Sequence, residues 1–399
     1  MKTDNHVLYG SFEDDYVTIT NGDGVYVYDD QGNQYLDAVG GVCVVNIGHG
    51  VEEIGEVIKQ QFDKVTYTYG GIVDNEPRQQ LASKLQEWAP SGMGYTKSLF
   101  CSGGAEANEG AIKLARKYGN IHKNGAYQII TANNSFHGRT LTTWSATGKP
   151  HDSDPFLPLP EGFVHVDYNN LQAIKDATIT DTVAIMLEPV QGEGGVNLPS
   201  PGYLSAVRQW CDDNNLILIF DEVQTGLGRL GKLFGYEVYQ VEPDIITLAK
   251  GLGGGIPIGA FLAKDHAAVF EPKSEHGSTF GGNVLTCAAA HASTQFIINN
   301  EIPAKADDMG KYLMGKLLDL KETHSLITEV RGVGLLIAVE FNREISANLL
   351  TYCNQLGLLL NAPKPTAIRL MPPLTISKQE VDIGIQRLES GILKAQKES

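Results

Sequence analysis

Five short stretches of this chain hold residue types that can do chemistry. Lys250 ends the run DIITLAK and is followed by Gly251-Leu252-Gly253-Gly254-Gly255. A partly buried amine loses its proton more readily and becomes a nucleophile able to form an imine with a carbonyl. The bland alternative is a surface lysine on a loop. Asp221 and Glu222 follow the apolar run LILIF. A carboxylate at a buried strand end needs a partner, because an unpaired buried charge is costly; a helix-capping Asp is the competing role. Ser102-Gly103-Gly104-Ala105 follows SLFC and opens AEANEGAIKLARKYG. Small residues there let backbone N–H groups close on an anion, which the helix dipole also favours. Ordinary turn chemistry is the competing explanation. Phe136-His137-Gly138-Arg139 sets an aromatic ring beside a cation, and EPVQGEGG, from Glu188 to Gly195, carries two carboxylates.

These stretches lie where strands should end. SLFC, AYQIITAN, TVAIMLEPV, LILIFDEVQ, DIITLAK and GAFLAK read as strands. Between them AEANEGAIKLARKYG and PGYLSAVRQWCDDN have helical spacing. Near-continuous apolar strands alternating with helices predict a mostly parallel sheet covered on both faces. Such sheets bind ligands at the carboxyl ends of their strands. Upstream, VTIT is followed by a turn at Asn21-Gly22-Asp23-Gly24, and VYVYDDQGNQYLDA holds a hairpin turn over Asp30-Gln31-Gly32-Asn33. VEEIGEVIKQQFDKV and RQQLASKLQEWA read as helices, the second closed by Pro90 and Ser91-Gly92. A long helix begins near Asn283. Beyond about residue 290, strands near VRGVGLLIAVEF and AIRLMPPL and a final helix form a second unit.

The composition narrows the function classes. At 399 residues and 43.2 kDa the chain suits two to three domains. Lys plus Arg is 31 against 47 Asp plus Glu, a net charge of -16. So acidic a chain is a poor binder of nucleic acid or anionic membrane. Five cysteines without a CxxC spacing fit a reducing compartment, and the start MKTDNHVLYG lacks a signal-peptide pattern. A cytoplasmic location is the expectation. Gly226 to Lys232 nearly matches a phosphate-binding loop, but Leu233 stands where a magnesium-binding Ser or Thr belongs. There is no HExxH pair, and no metal is expected. An anion-binding helix start, an aromatic ring, a buried Asp and a loop Lys together suit an aldehyde cofactor with a phosphate and a protonatable ring, pyridoxal 5'-phosphate.

At this point the sequence resembles the class III (subgroup II) pyridoxal-phosphate aminotransferases. LFCSGGAEANEGAIKLAR, SFHGRTLTTWSATG, MLEPVQGEGGV, LIFDEVQTGLGRLGKLF, PDIITLAKGLGGGIPIGAF, EHGSTFGGNVLTCAAA and IRLMPPLTIS carry the likeness from about residue 20 to 380. The resemblance implies a fold-type-I α/β architecture. In it a large domain holds a mostly parallel seven-stranded sheet between helices, and a small α+β domain is built from both chain ends. The segments are 1–50, an N-terminal part of the small domain, 51–288, the large cofactor domain, and 289–399, the C-terminal small domain. By the same resemblance Lys250 is the lysine that holds the cofactor aldehyde and moves protons. Asp221 pairs with the ring nitrogen, Gln224 meets the ring hydroxyl, Gly104 and Ala105 bind the phosphate, and Phe136 stacks on the ring. Thr279 reaches the phosphate of a neighbouring subunit, which implies a homodimer with shared active sites. Arg369 holds an α-carboxylate, Glu193 pairs with Arg369 when an ω-amine is bound, and Arg139 holds the distant carboxylate.

The implied activity is ping-pong transamination of small amino and oxo acids. N2-acetyl-L-ornithine and 2-oxoglutarate would give N-acetyl-L-glutamate 5-semialdehyde and L-glutamate, a step of arginine biosynthesis. Ornithine, 4-aminobutyrate or succinylornithine as donor, another reaction on the same cofactor, or a non-catalytic protein keeping the fold are the alternatives. The sequence departs from the family pattern at His49-Gly50, Ser102-Gly103, Ser278-Thr279 and Asn283-Val284-Leu285, none of which removes a catalytic group. GGVCVVNIGH stands where the family lines its substrate pocket, and its Val and Cys side chains favour an N-acylated donor over free ornithine.

Overall fold

The computed structural model describes residues 17–89, 94–148, 154–271 and 275–397. Continuous apolar sequence becomes buried sheet. Thr182–Leu187 (β7), Ile217–Asp221 (β8) and Ile245–Leu248 (β9) are buried at every position, as strands with both faces covered must be. They join Tyr95–Cys101 (β4), Gln128–Ala132 (β5), Phe163–Val166 (β6) and Gly259–Lys264 (β10) in one sheet of order β4-β10-β9-β8-β7-β5-β6. β10 runs antiparallel to both its neighbours, and the pairs among β9, β8, β7, β5 and β6 are parallel. The helix Gly104–His122 lays Ala107, Ala111, Ile112, Leu114 and Ala115 against this sheet.

The two ends of the chain meet in smaller sheets. Ile19–Asp23 (β1), Tyr26–Asp29 (β2) and Gln34–Asp37 (β3) form an antiparallel meander, and Leu358–Leu359 (β13) adds to β3 in parallel. The hairpin turn lies where Asp30 to Asn33 predicts it, closed by the Asp29 carboxylate, which accepts the N–H groups of Gln31 and Asn33. The turn expected at Asn21-Gly22-Asp23-Gly24 starts later, because Asn21 to Asp23 pair with β2 as part of β1. The second small sheet is antiparallel and has the order β11-β12-β15-β14, from Ile327–Val333 (β11), Leu336–Phe341 (β12), Asn361–Lys364 (β14) and Ala367–Leu370 (β15).

The helix Val284–Asn299 begins where the sequence places it, with the Asn283 side chain accepting the Thr286 N–H. It packs on Glu52–Lys64 and Glu76–Trp88, the two early helices. The stop assigned to Pro90 and Ser91-Gly92 lies outside the described residues. The rejected phosphate-loop look-alike has a structural task. Arg229, wholly buried, donates to the carbonyls of Leu335 and Pro372 and to Asn46 Oδ1. Among the described residues no helix is long and apolar enough to cross a membrane.

Candidate active site

The carboxyl ends of five strands converge on one cavity of about 440 Å³. β4 leads into Gly104 and Ala105, β5 into Phe136 and Arg139, β7 into Glu193, β8 ends on Asp221 before Gln224, and β9 leads into Lys250. All eight residues line the cavity. They are separated by up to about 150 residues in sequence, and the sheet brings them together as the strand-end rule requires.

Asp221 is buried and held from several sides. Its Oδ2 accepts from Asn108 Nδ2 and from His137 Nδ1, each at 2.8 Å, and its Oδ1 accepts the Val223 N–H at 3.0 Å. Asn108 is itself fixed, since its Oδ1 accepts from Thr247 Oγ1 at 2.7 Å. The contact to Val223 closes a turn, and the next helix starts only at Tyr236, so Asp221 does not take the helix-capping role. Lys250 is half-buried at φ +45, a left-handed conformation that costs a non-glycine residue energy and is found at functional sites.

Glu188 is fully buried. Its two oxygens accept the N–H of Phe136 at 3.1 Å and of Gly192 at 3.2 Å. Burial pushes its carboxyl up to about 7 against those two donors. Phe136 is thus tied by its backbone to the next strand, and the Arg139 guanidinium carbon lies 5.7 Å from its ring centre.

Behind the cavity wall, backing the lining residues Glu193 and Gln224, is a buried arginine. Arg369, with no exposed surface, donates from Nη2 to Glu193 Oε1 at 2.8 Å and from Nη1 to Gln224 Oε1 at 3.1 Å. Asn361 Oδ1 accepts from Nε and Nη2 of the same arginine at 3.1 and 2.8 Å. Burial alone would raise the Glu193 carboxyl, but the Arg369 charge beside it outweighs that and holds it below the usual range.

Thr279, expected to serve a neighbouring subunit, lies outside this chain's own cavity, on a separate surface cavity with Tyr69, Arg78 and Lys97. One expectation needs adjustment. From GGVCVVNIGH, Val44 lines the site, but Cys43 is packed into an apolar cluster with Val190, Val196 and Met371. The Cys half of the argument for an acylated donor therefore falls away. His137, Asn108, Glu188 and Asn361 were not singled out as site residues in the sequence. Two of them carried a signal: His137 by its place beside Phe136, and Glu188 as a carboxylate in the EPVQGEGG stretch.

The cavity suits pyridoxal phosphate. An aldehyde needs an amine, and Lys250 presents one. A phosphate needs unpaired N–H groups, and the first turn of the helix from Gly104 has them. At Gly103 a side-chain carbon would meet nothing within 4 Å, so there is open space at that helix start. A protonated ring nitrogen needs a fixed carboxylate, which Asp221 supplies.

Comparison with known proteins agrees with this geometry. The family model described as Aminotransferase class-III matches residues 9–392. An acetylornithine aminotransferase of Methanocaldococcus jannaschii is 46% identical over 94% of this chain and 92% of its own. A succinylornithine transaminase of Photorhabdus laumondii is 40% identical over 93% of this chain and 92% of its own. Among solved structures, the ornithine aminotransferase of Toxoplasma gondii superposes with a TM-score of 0.90 at 32% identity, covering 96% of this chain and 92% of that one. A pyridoxal-phosphate-bound amine transaminase from an uncultivated Pseudomonas species gives 0.92 at 29% identity over 99% of both chains. With the strand-end lysine, the held aspartate and the matching length all accounted for, this chain belongs to the class-III aminotransferases and is a pyridoxal-phosphate-dependent enzyme.

Proposed function

We propose that this enzyme exchanges an amino group between N2-acetyl-L-ornithine and 2-oxoglutarate, as in arginine biosynthesis. The observation that carries the reading is the 2.8 Å pair between Glu193, which lines the cavity, and Arg369 behind it. A transaminase working on an ω-amine and then on an α-amino acid must accept two different ends of a substrate in one place. With the pair closed, Arg369 is neutralised and an ω-amine chain is accepted. With the pair open, Arg369 can grip the α-carboxylate of glutamate by two parallel hydrogen bonds. Arg139, across the cavity, would hold the distant carboxylate. Val44 offers no hydroxyl to a free α-amine, which favours the acylated donor, and the relatives named for acetylornithine agree.

When bound, pyridoxal phosphate supplies an aldehyde carbon to carry the amine and a ring that accepts electrons. Lys250 Nζ would hold that aldehyde between turnovers and then remove and return the proton at the substrate carbon bearing nitrogen. Asp221, oriented by Asn108 and His137, would keep the ring nitrogen protonated. Gln224, Phe136 and the N–H groups of Gly104 and Ala105 would hold the ring and its phosphate.

We further propose a division at residues 50 and 288, with Val284–Asn299 as the connecting helix. A homodimer in which Thr279 serves the partner's cavity belongs to the same reading. Five buried, unpaired cysteines suit the reducing cytoplasm. The test is a titration of the loaded enzyme with each amine, following the visible absorption of the bound cofactor. Glutamate and N-acetylornithine should both discharge it, and ornithine poorly. A best response to ornithine, 4-aminobutyrate or succinylornithine would move the substrate; no response to any amine would overturn the reading.

A further inference from the structure

The loop that carries Glu193 is held by a second arginine from the small domain. Residues Gly192 to Val196 form a turn in which the N–H groups of Gly195 and Val196 donate to the Gly192 carbonyl at 3.2 and 3.3 Å. Gly195 sits at φ +106, which a side chain would strain. The start of the turn is fixed from below, because Glu188 accepts the Gly192 N–H at 3.2 Å. Its end is fixed by Arg331. The Arg331 Nε donates to the carbonyls of Gly195 at 3.0 Å and Val196 at 3.2 Å, and Nη2 donates to Gly195 O at 2.6 Å.

The register explains why this arginine reaches that loop. Arg331 on β11 stands opposite Ala338 on β12, Ala338 opposite Arg369 on β15, and Arg369 opposite Asn361 on β14. Residues opposite one another across strands share a face. The two arginines and Asn361 are therefore one row across four strands. Arg369 takes the Glu193 side chain, and two strands away Arg331 takes the backbone two residues further on. Ala338, small and buried, leaves room between them, and Val196 packs in the same apolar cluster. Arg331 is itself braced by Glu329 at 2.8 Å and Glu340 at 2.9 Å.

Building on the two-state role of Glu193 argued above, we propose that Arg331 is a positioning residue for substrate choice. It holds the backbone on the far side of Glu193, so that only the carboxylate swings away from Arg369 and returns to it. Release of that grip lets the loop drift and leaves Arg369 uncovered. The half-reaction with the ω-amine then suffers, while the half-reaction with glutamate, which needs Arg369 open, does not.

The experiment measures kcat/KM of the two half-reactions, with N-acetylornithine and with glutamate, in the loaded enzyme. Arg331→Gln should lower the N-acetylornithine value about tenfold and change the glutamate value less than about threefold. Arg331→Lys keeps the charge facing Glu329 and Glu340 but loses the fork that spans two carbonyls. It should show the same split at smaller size, and it decides the matter if the Gln variant does not fold. Amide exchange over residues 192–197 should quicken in both variants. Equal loss in both half-reactions, no loss in either, or unchanged exchange would overturn the proposal. Glu193→Gln serves as the control. A split there without one at Arg331 removes only the role of Arg331; no split there removes the pairing mechanism itself.

Discussion

Glu222 follows Asp221 in sequence but does unrelated work. It is wholly buried, and its carboxylate accepts the N–H groups of Gly235 and of Tyr236, the latter at 2.7 Å. It thereby closes the loop that leaves β8 back onto the sheet. Burial pushes its carboxyl up to about 8 in spite of those donors. The native state then holds a proton that the unfolded chain releases near pH 4.5. The stability this contributes is complete below that pH and is lost as pH rises through about 8. Glu188 has the same sign, over a window ending at about 7. Relative to Glu222→Gln, the wild type should lose about 4 kcal/mol of unfolding free energy between pH 5 and pH 9. Denaturant titrations at several pH values check this, and parallel pH profiles would show that Glu222 does not titrate there. At this scale legibility depended on position. Lys250 and Asp221 could be read because each ends an apolar strand. That Asn108 and His137 hold Asp221 could not be read, because it lies 113 and 84 residues away from them. Arg331 was part of a motif quoted only as a strand.

Elements built from continuous apolar runs were legible, since a strand buried on both faces has no other composition. The direction of β10 was not, because GAFLAK reads the same in either sense and only its pairing with β4 and β9 reverses it. The long helix Ile302–Thr323 was not singled out in the sequence, although Ile302, Ala306, Gly310, Leu313, Leu317 and Leu320 keep one buried stripe. The edge strand β14 contains Pro363, which argues against a strand until its edge position is known. A helix also shows how packing reverses propensity. Gly119, near the end of Gly104–His122, sits so close to its surroundings that a side-chain carbon would lie 1.9 Å from the Ala126 carbonyl and 2.9 Å from Val183. Glycine to alanine in a helix ordinarily stabilises by about 1 kcal/mol. Here overpacking costs about 1–3 kcal/mol and outweighs it. Gly119→Ala should therefore destabilise the protein, by up to about 2 kcal/mol in denaturant titration. A stabilised variant would mean that the helix end yields to make room.

At the scale of the whole molecule, the position of Thr279 is the informative fact. It stands outside its own chain's cavity, on the surface beside a group of exposed apolar side chains. Tyr67 donates from its hydroxyl to the Thr279 carbonyl at 2.7 Å and meets Phe280 edge-on at 6.0 Å. Phe280 is 66% exposed and Ile72 82%. Thr279 itself lines a surface cavity of about 1090 Å³, and exposed apolar groups of this kind are what a protein–protein contact covers. In a two-fold dimer the same patch meets itself, and a residue on it can serve the partner's site. Two defective variants then test the arrangement without any view of the interface. Lys250→Ala removes the amine and Thr279→Val removes the hydroxyl. If Thr279 serves the partner, a dimer of one copy of each has one site with both defects and one site with none. Refolding the two together in equal amounts should restore about a quarter of the wild-type rate, because half of the dimers are mixed and half of their sites are intact. If Thr279 acts only within its own chain, no mixed dimer holds an intact site. The rate then stays at the average of the two variants measured alone, and the shared-site dimer fails.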